Sequence, residues 1–172
     1  MTMWYSFAYD PGINCCAWAL VSEDKTDIKV GLIRQNLPKT DSWVKTARMI
    51  QEADDFFDSG VIRQVFDTDI RLWTVEGQYT AYGKGDPGHQ VRNGWIASAM
   101  YSRAPEGAKK IIALPSTWTR GKPKEIRNQE LLTKIKDHES WDWYSKIPPK
   151  DLLHNVYDAV AMAVWSLENH KS

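Results

Sequence analysis

Only two cysteines occur in the 172 residues, and they are adjacent, Cys15 and Cys16, inside an apolar run. Neighbouring cysteines cannot staple a small fold and lack the spaced partners of a zinc site, so a reducing, cytoplasmic setting is expected. Charge of one sign is also lacking. The 22 Lys plus Arg balance 22 Asp plus Glu, so the chain as a whole has no attraction for nucleic acid or a membrane surface, and any polyanion site must be local. No apolar run reaches the length of a membrane span. The opening MTMWYSFAYD has no basic stretch ahead of its apolar residues and meets an aspartate at position 10, which is unlike a secretory signal. Ten glycines and eight prolines are too few for a collagenous or low-complexity chain. What remains, 42% hydrophobic and 12% aromatic residues, fits one globular domain over residues 1–172. The nine tryptophans are scattered without a repeat, as core residues would be.

The β-forming run from Trp4 to Tyr9, the turn sequence Asp10-Pro11-Gly12 and a second apolar run from Cys15 to Val21 predict a hairpin, with a third strand over residues 28–33. Asp41 is placed to cap a helix on which Trp43, Ala47, Ile50, Ala53 and Phe57 recur at helical spacing, ending near Ser59 and Gly60. The run IRLWTVE predicts a buried strand ending at Glu76, followed by a glycine-rich loop and a helix from about His89 to Tyr101. KKIIALP predicts a short strand stopped by Pro115, followed by a loop that passes into a helix near Pro123. Pro148-Pro149 precede a last helix with a broad apolar stripe from Leu152 to Leu167. Together these elements predict an α/β fold built on a five-stranded mixed sheet, an antiparallel meander plus two parallel strands, with helices on both faces.

Local charge departs from the global balance. Residues 84–127 hold nine bases, among them Lys84, Arg120, Lys122, Lys124 and Arg127, against Asp86, Glu106 and Glu125, an excess of +6. An anion-binding face on a neutral protein would show this split, although solvated surfaces carry charge blocks too.

Three carboxylates stand where chemistry could use them. Asp10 ends the first strand, though Asp-Pro-Gly is also a common turn. Glu76 follows Leu72-Trp73-Thr74-Val75, where a carboxylate is costly unless solvated, paired or bound to metal. Asp158 sits beside the apolar stripe of the last helix, and Asp151, Asn155 and His154 share its side of that helix by their spacing. If strand and helix ends converge, such hard oxygen ligands suit Mg²⁺ or Mn²⁺, and two ions roughly 4 Å apart would serve phosphodiester hydrolysis.

Four stretches carry a resemblance to the RuvC family of Holliday junction resolvases, within the RNase H-like superfamily. FAYDPG resembles the family's first strand with its metal-binding aspartate, here Asp10. VEGQY resembles the strand-end glutamate followed by an aromatic that inserts at the junction, here Glu76 and Tyr79. ALPSTWTRGKPKEIRNQ is similar to the basic segment that leads into a lysine-bearing helix, with Lys122 and Lys124 as alternatives for the phosphate contact. NVYDAVAMAVW is similar to the last-helix pattern that ends the ligand set, here Asp158. The chain departs from the pattern three residues earlier, where Asn155 stands in place of Asp or His, leaving Asn155, His154 and Asp151 open as the fourth ligand.

The resemblance implies an Mg²⁺-dependent crossover junction endodeoxyribonuclease, with Mn²⁺ able to substitute, two ions per site and branched DNA as substrate. It also implies a homodimer, since a four-way junction needs two coordinated nicks. Asp10, Glu76, Asp158 and Asn155 would hold metal. Tyr79, Tyr82, Lys84, Arg120, Lys122, Lys124 and Arg127 would meet DNA, the tyrosines through an unstacked base. The predicted helix with Val91, Trp95, Ile96 and Ala99 offers a dimer contact, with core packing as its other use. A short, tryptophan-rich member of this kind would suit a phage. Two rivals remain: an RNase H type nuclease on RNA/DNA hybrids, for which Glu52 could serve as the first-helix glutamate although position 76 is Glu where that branch places Asp, and a branched-DNA-binding protein that does not cleave.

Overall fold

Strands β1 (Trp4–Asp10), β2 (Cys15–Ser22) and β3 (Ile28–Arg34) are almost wholly buried, as expected of strands covered on both faces. They form the antiparallel meander, with Tyr9 opposite Trp18 and Trp18 opposite Gly31. The computed structural model describes residues 3–59, 67–78 and 86–170, so Tyr79, Tyr82 and Lys84 of the predicted loop lie outside the described residues. Strand β4 (Asp69–Glu76) joins β1 in parallel, and β5 (Lys109–Ala113) joins β4 in parallel.

Among the described residues the sheet has six strands rather than five, in the order β5-β4-β1-β2-β3-β6. The addition, β6 (Asp142–Trp143), pairs in parallel with Lys29 and Val30 of β3. Two residues are too few to show a strand period, and this strand is fixed by side chains instead. The Trp141 and Trp143 rings stack at 6.3 Å, and their indole N–H groups donate to the Lys136 and His138 carbonyls, each at 2.9 Å.

Helix α1 (Ser42–Asp58) starts at Asp41, whose carboxylate accepts from the Trp43 N–H at 2.8 Å. Helix α2 (Pro87–Ser102) starts two residues before the expected position, because Asp86 caps it by accepting from the Gly88 N–H at 2.9 Å. Part of the expected loop after Pro115 is instead a short helix, α3 (Pro115–Thr119). The left-handed residues Arg120 (φ 51°) and Gly121 (φ 68°) end it, and α4 (Lys124–Leu132) follows. The last helix is α5 (Lys150–Asn169). No helix among the described residues is long and apolar enough to cross a membrane.

The two sheet faces differ in side-chain size. Phe7, Tyr9, Trp18 and Trp73 point to α1 and α2, where they meet Met49, Phe57, Ile96 and Met100. Ala8, Ala17 and Ala19 point to the other face, where their small side chains let α5 pack close through Val156, Val160 and Ala163. A buried hydrogen bond of 2.6 Å between the Thr74 and Ser166 hydroxyls pins α5 to β4. Strand alternation then puts Asp10 on the face of Ala8, and Glu76 on the face of Thr74, so both carboxylates emerge on the α5 side.

Candidate active site

Tyr9 and Val75 are partners in the parallel register of β1 and β4, so the next residues, Asp10 and Glu76, emerge side by side at the carboxyl ends of the two strands. Ligand and catalytic groups collect at this edge in open α/β sheets. The two carboxyl groups are within hydrogen-bonding reach, and burial, then the charges of Glu76 and Asp158, push the Asp10 carboxyl well above the usual carboxylate range. Glu76 is raised too, mainly by burial, against the opposing effect of its hydrogen bonds to Asp10 and Trp118.

Two partners hold the carboxylates from the α5 side. The Trp118 indole N–H donates to Glu76 Oε1 at 3.2 Å. The Arg127 guanidinium lies over the Trp118 ring, 4.7 Å from its centroid, and donates to Asp158 Oδ1 at 3.0 Å. Glu76, Trp118, Arg127 and Asp158 therefore form one connected chain of contacts across β4, α3, α4 and α5. Trp118 enters the sequence reading only as a core tryptophan. Nothing local marks it otherwise, because its partner is 42 residues away.

The lysines separate. Lys124 Nζ is 3.4 Å from Asp158 Oδ2, whereas Lys122 is ion-paired with Glu130. Arg120 and Lys122 line a small cleft of about 100 Å³ between α4 and α5, with Lys134 and Glu168. Two other bases of the positive segment also have acidic partners: Arg92 pairs with Asp86, and Arg103 with Asp54 and Asp58. The excess of +6 is thus not one uniform face.

Asn155 is half-buried on α5 and hydrogen-bonds the Cys15 thiol at the start of β2, beside Asp10. His154 is half-buried and Asp151 exposed on the first turns of the same helix. Glu52, the residue the hybrid-nuclease alternative needs, pairs with Arg48 on α1 at 2.6 Å. Of the residues read as a dimer contact, Ile96 goes into the core, while Val91 and Trp95 are exposed.

The donor set suits a hard divalent cation: carboxylates on Asp10, Glu76 and Asp158 and an amide oxygen on Asn155. Carboxyls raised by burial and by the nearby charge of Asp158, as Asp10 and Glu76 both are, mark a place where a cation would be stabilised. Among the described residues, no three of His, Cys, Asp and Glu already stand together as a metal cluster. Asp158 is engaged by Arg127 and Lys124 instead.

Fold and site together define an α/β domain with acidic residues at the carboxyl edge of its central parallel strands. No protein-family model matches the chain, and no curated protein matches it. Solved structures do. RuvC of T. thermophilus in complex with a Holliday junction substrate aligns with a TM-score of 0.60 and 14% identity, over 96% of this chain and 92% of that one. A second Thermus thermophilus RuvC structure aligns with a TM-score of 0.54 and 18% identity, over 95% and 92%. The yeast mitochondrial Holliday junction resolvase Ydc2 aligns with a TM-score of 0.48 and 12% identity, over 98% and 81%. The chain has the fold of RuvC along nearly its whole length.

Proposed function

We propose that this protein is a metal-dependent, structure-selective endonuclease that resolves four-way and other branched DNA junctions by paired phosphodiester hydrolysis. The observation that carries this reading is the pairing of Asp10 and Glu76 at the ends of β1 and β4, both under the charge of Asp158 on α5. Support comes from the shared fold with RuvC, one structure of which is a complex with a Holliday junction substrate.

Asp10, Glu76, Asp158 and Asn155 would hold Mg²⁺, or Mn²⁺ in its place, as two ions. Bound there, the ions would supply Lewis acidity at the scissile phosphate and a more acidic attacking water. The protein's own groups do the rest. Trp118 holds the Glu76 carboxylate by its N–H, Arg127 fixes Asp158, and Lys124 brings a positive charge to the edge where a phosphate would approach. Paired cuts call for two copies of the chain. The apolar surface formed by Trp43 and Val44 of α1 with Val91 and Trp95 of α2 is the proposed homodimer contact.

The test is cleavage of a labelled four-way junction beside linear duplex and RNA/DNA hybrid, with Mg²⁺, Mn²⁺ or EDTA, by wild type, Asp10→Asn and Glu76→Gln. Metal-dependent paired nicks in the junction alone, lost in both variants, are expected. Cutting of the hybrid would replace this reading with the RNase H type. Tight junction binding without product in either metal would replace it with a binding protein.

A further inference from the structure

A cavity of about 370 Å³ opens beside the active site, between the ends of β4 and β5 and helix α2. This falls within the roughly 300–1,000 Å³ of small-molecule sites. Ala97, Tyr101, Ile112 and Leu114 make its apolar walls, and Gln78 and Ser98 add polar groups. Glu76 lines it as well, at the strand end from which its carboxylate turns to the α5 face, so the cavity and the carboxylate pair meet at the carboxyl end of β4.

Two features of the walls are unusual for simple packing. Ile112 is 60% exposed on the edge strand, on the side that faces α2. Gly94 interrupts the interior of α2 where it lines the cavity, and a Cβ built there would meet nothing within 4 Å. Gly77, on the opposite wall, is different: a Cβ there would come within 2.6 Å of the Ile112 side chain. Packing therefore requires glycine at 77 but not at 94, where it only weakens the helix. Glycine at such a point suits close approach of a ligand to the backbone.

The ligand chemistry follows from the walls. The flat Tyr101 ring among aliphatic walls, with an amide and a hydroxyl at the edge, suits a heteroaromatic ring. The Lys110 ammonium, 5.4 Å from the Tyr101 ring centroid, puts a cation nearby for a phosphate. We infer that the cavity receives one unstacked nucleobase of the DNA, next to the scissile phosphate, and that the absent side chain at Gly94 admits it. The inference rests on the nuclease reading above and adds a base-binding subsite to it.

The test is a ladder of four-way junctions, each with one abasic residue near the nick, bound in EDTA to wild type, Gly94→Leu and Tyr101→Ala. For wild type, one ladder position is expected to bind about tenfold weaker than the intact junction, the loss typical of one stacked base. At that position Gly94→Leu and Tyr101→Ala should change by less than about twofold, because the subsite is already filled or stripped. Gly94→Ala serves as the folding control and should melt about 2–4 °C higher than wild type. Ladders of the same shape for wild type and both variants would overturn the subsite while leaving the nuclease reading intact. A wild type that neither prefers nor cuts junctions would overturn that reading, and the subsite with it.

Discussion

Arg127 stands between Trp118 and Asp158, stacked on the first at 4.7 Å and hydrogen-bonded to the second at 3.0 Å. Both ends of the ion pair are nearly closed off from solvent, at 11% and 14% side-chain exposure. A cation thus already neutralises the helix carboxylate that the proposed site would use, while burial raises both Asp10 and Glu76 and the Glu76 charge raises Asp10 further.

Removing the cation should therefore cost stability. Breaking a pair this buried leaves Asp158 only the half-exposed Lys124, and Arg127→Gln is expected to lower unfolding stability by up to about 3 kcal/mol. Urea denaturation of the single variants and of Arg127→Gln with Asp158→Asn checks this. The double variant should recover much of the loss, and simple additivity would contradict the coupling.

Trp118→Phe keeps the ring under Arg127 but deletes the donor to Glu76. Groups that orient a ligand in this way typically account for about 10–100-fold in metal affinity or activity. Mn²⁺ titration followed by electron paramagnetic resonance should show a loss of that size, with the melting temperature close to wild type.

Asp10 sets a pH dependence whose sign is fixed by its raised pKa. The folded state holds the proton more tightly than the unfolded chain, so stability is greatest below the unfolded carboxylate pKa and is lost as pH rises through the folded one. In EDTA, Asp10→Asn should melt several degrees above wild type at neutral pH, and the gain should disappear below about pH 4. A gain that does not vary with pH would point to packing rather than charge.

The exposed Trp95, 5.2 Å from Trp43 with Arg92 over the Trp43 ring, anchors the proposed dimer surface. Trp95→Asp should shift the chain to monomer in sedimentation while its circular dichroism spectrum stays native. Loss of paired nicking with single nicks retained is the expected companion result.

The elements were legible in the sequence wherever local chemistry defines them. The Asp41 cap, the prolines before α5 and the strand ends at Asp10 and Glu76 all lie where residue patterns place them. β6 was not legible, because a two-residue strand has no period of its own and depends on Trp141 and Trp143. The short helix α3 was also missed, between a proline and a left-handed Arg120-Gly121 pair that read as loop.

For the site, the residue pattern alone tells which carboxylates end the strands and which one lies on the last helix. Alternation along β1 and β4 turns Asp10 and Glu76 to one face, and that is a local property of extended chain. Their partners come from the assembled fold: Lys124 rather than Lys122 beside Asp158, Trp118 on Glu76, and Arg127 between them. The contacts that reach Glu76 and Asp158 join residues 31–42 positions apart. Their geometry depends on how α3, α4 and α5 pack on the sheet, a property of the assembled fold that no sequence window contains.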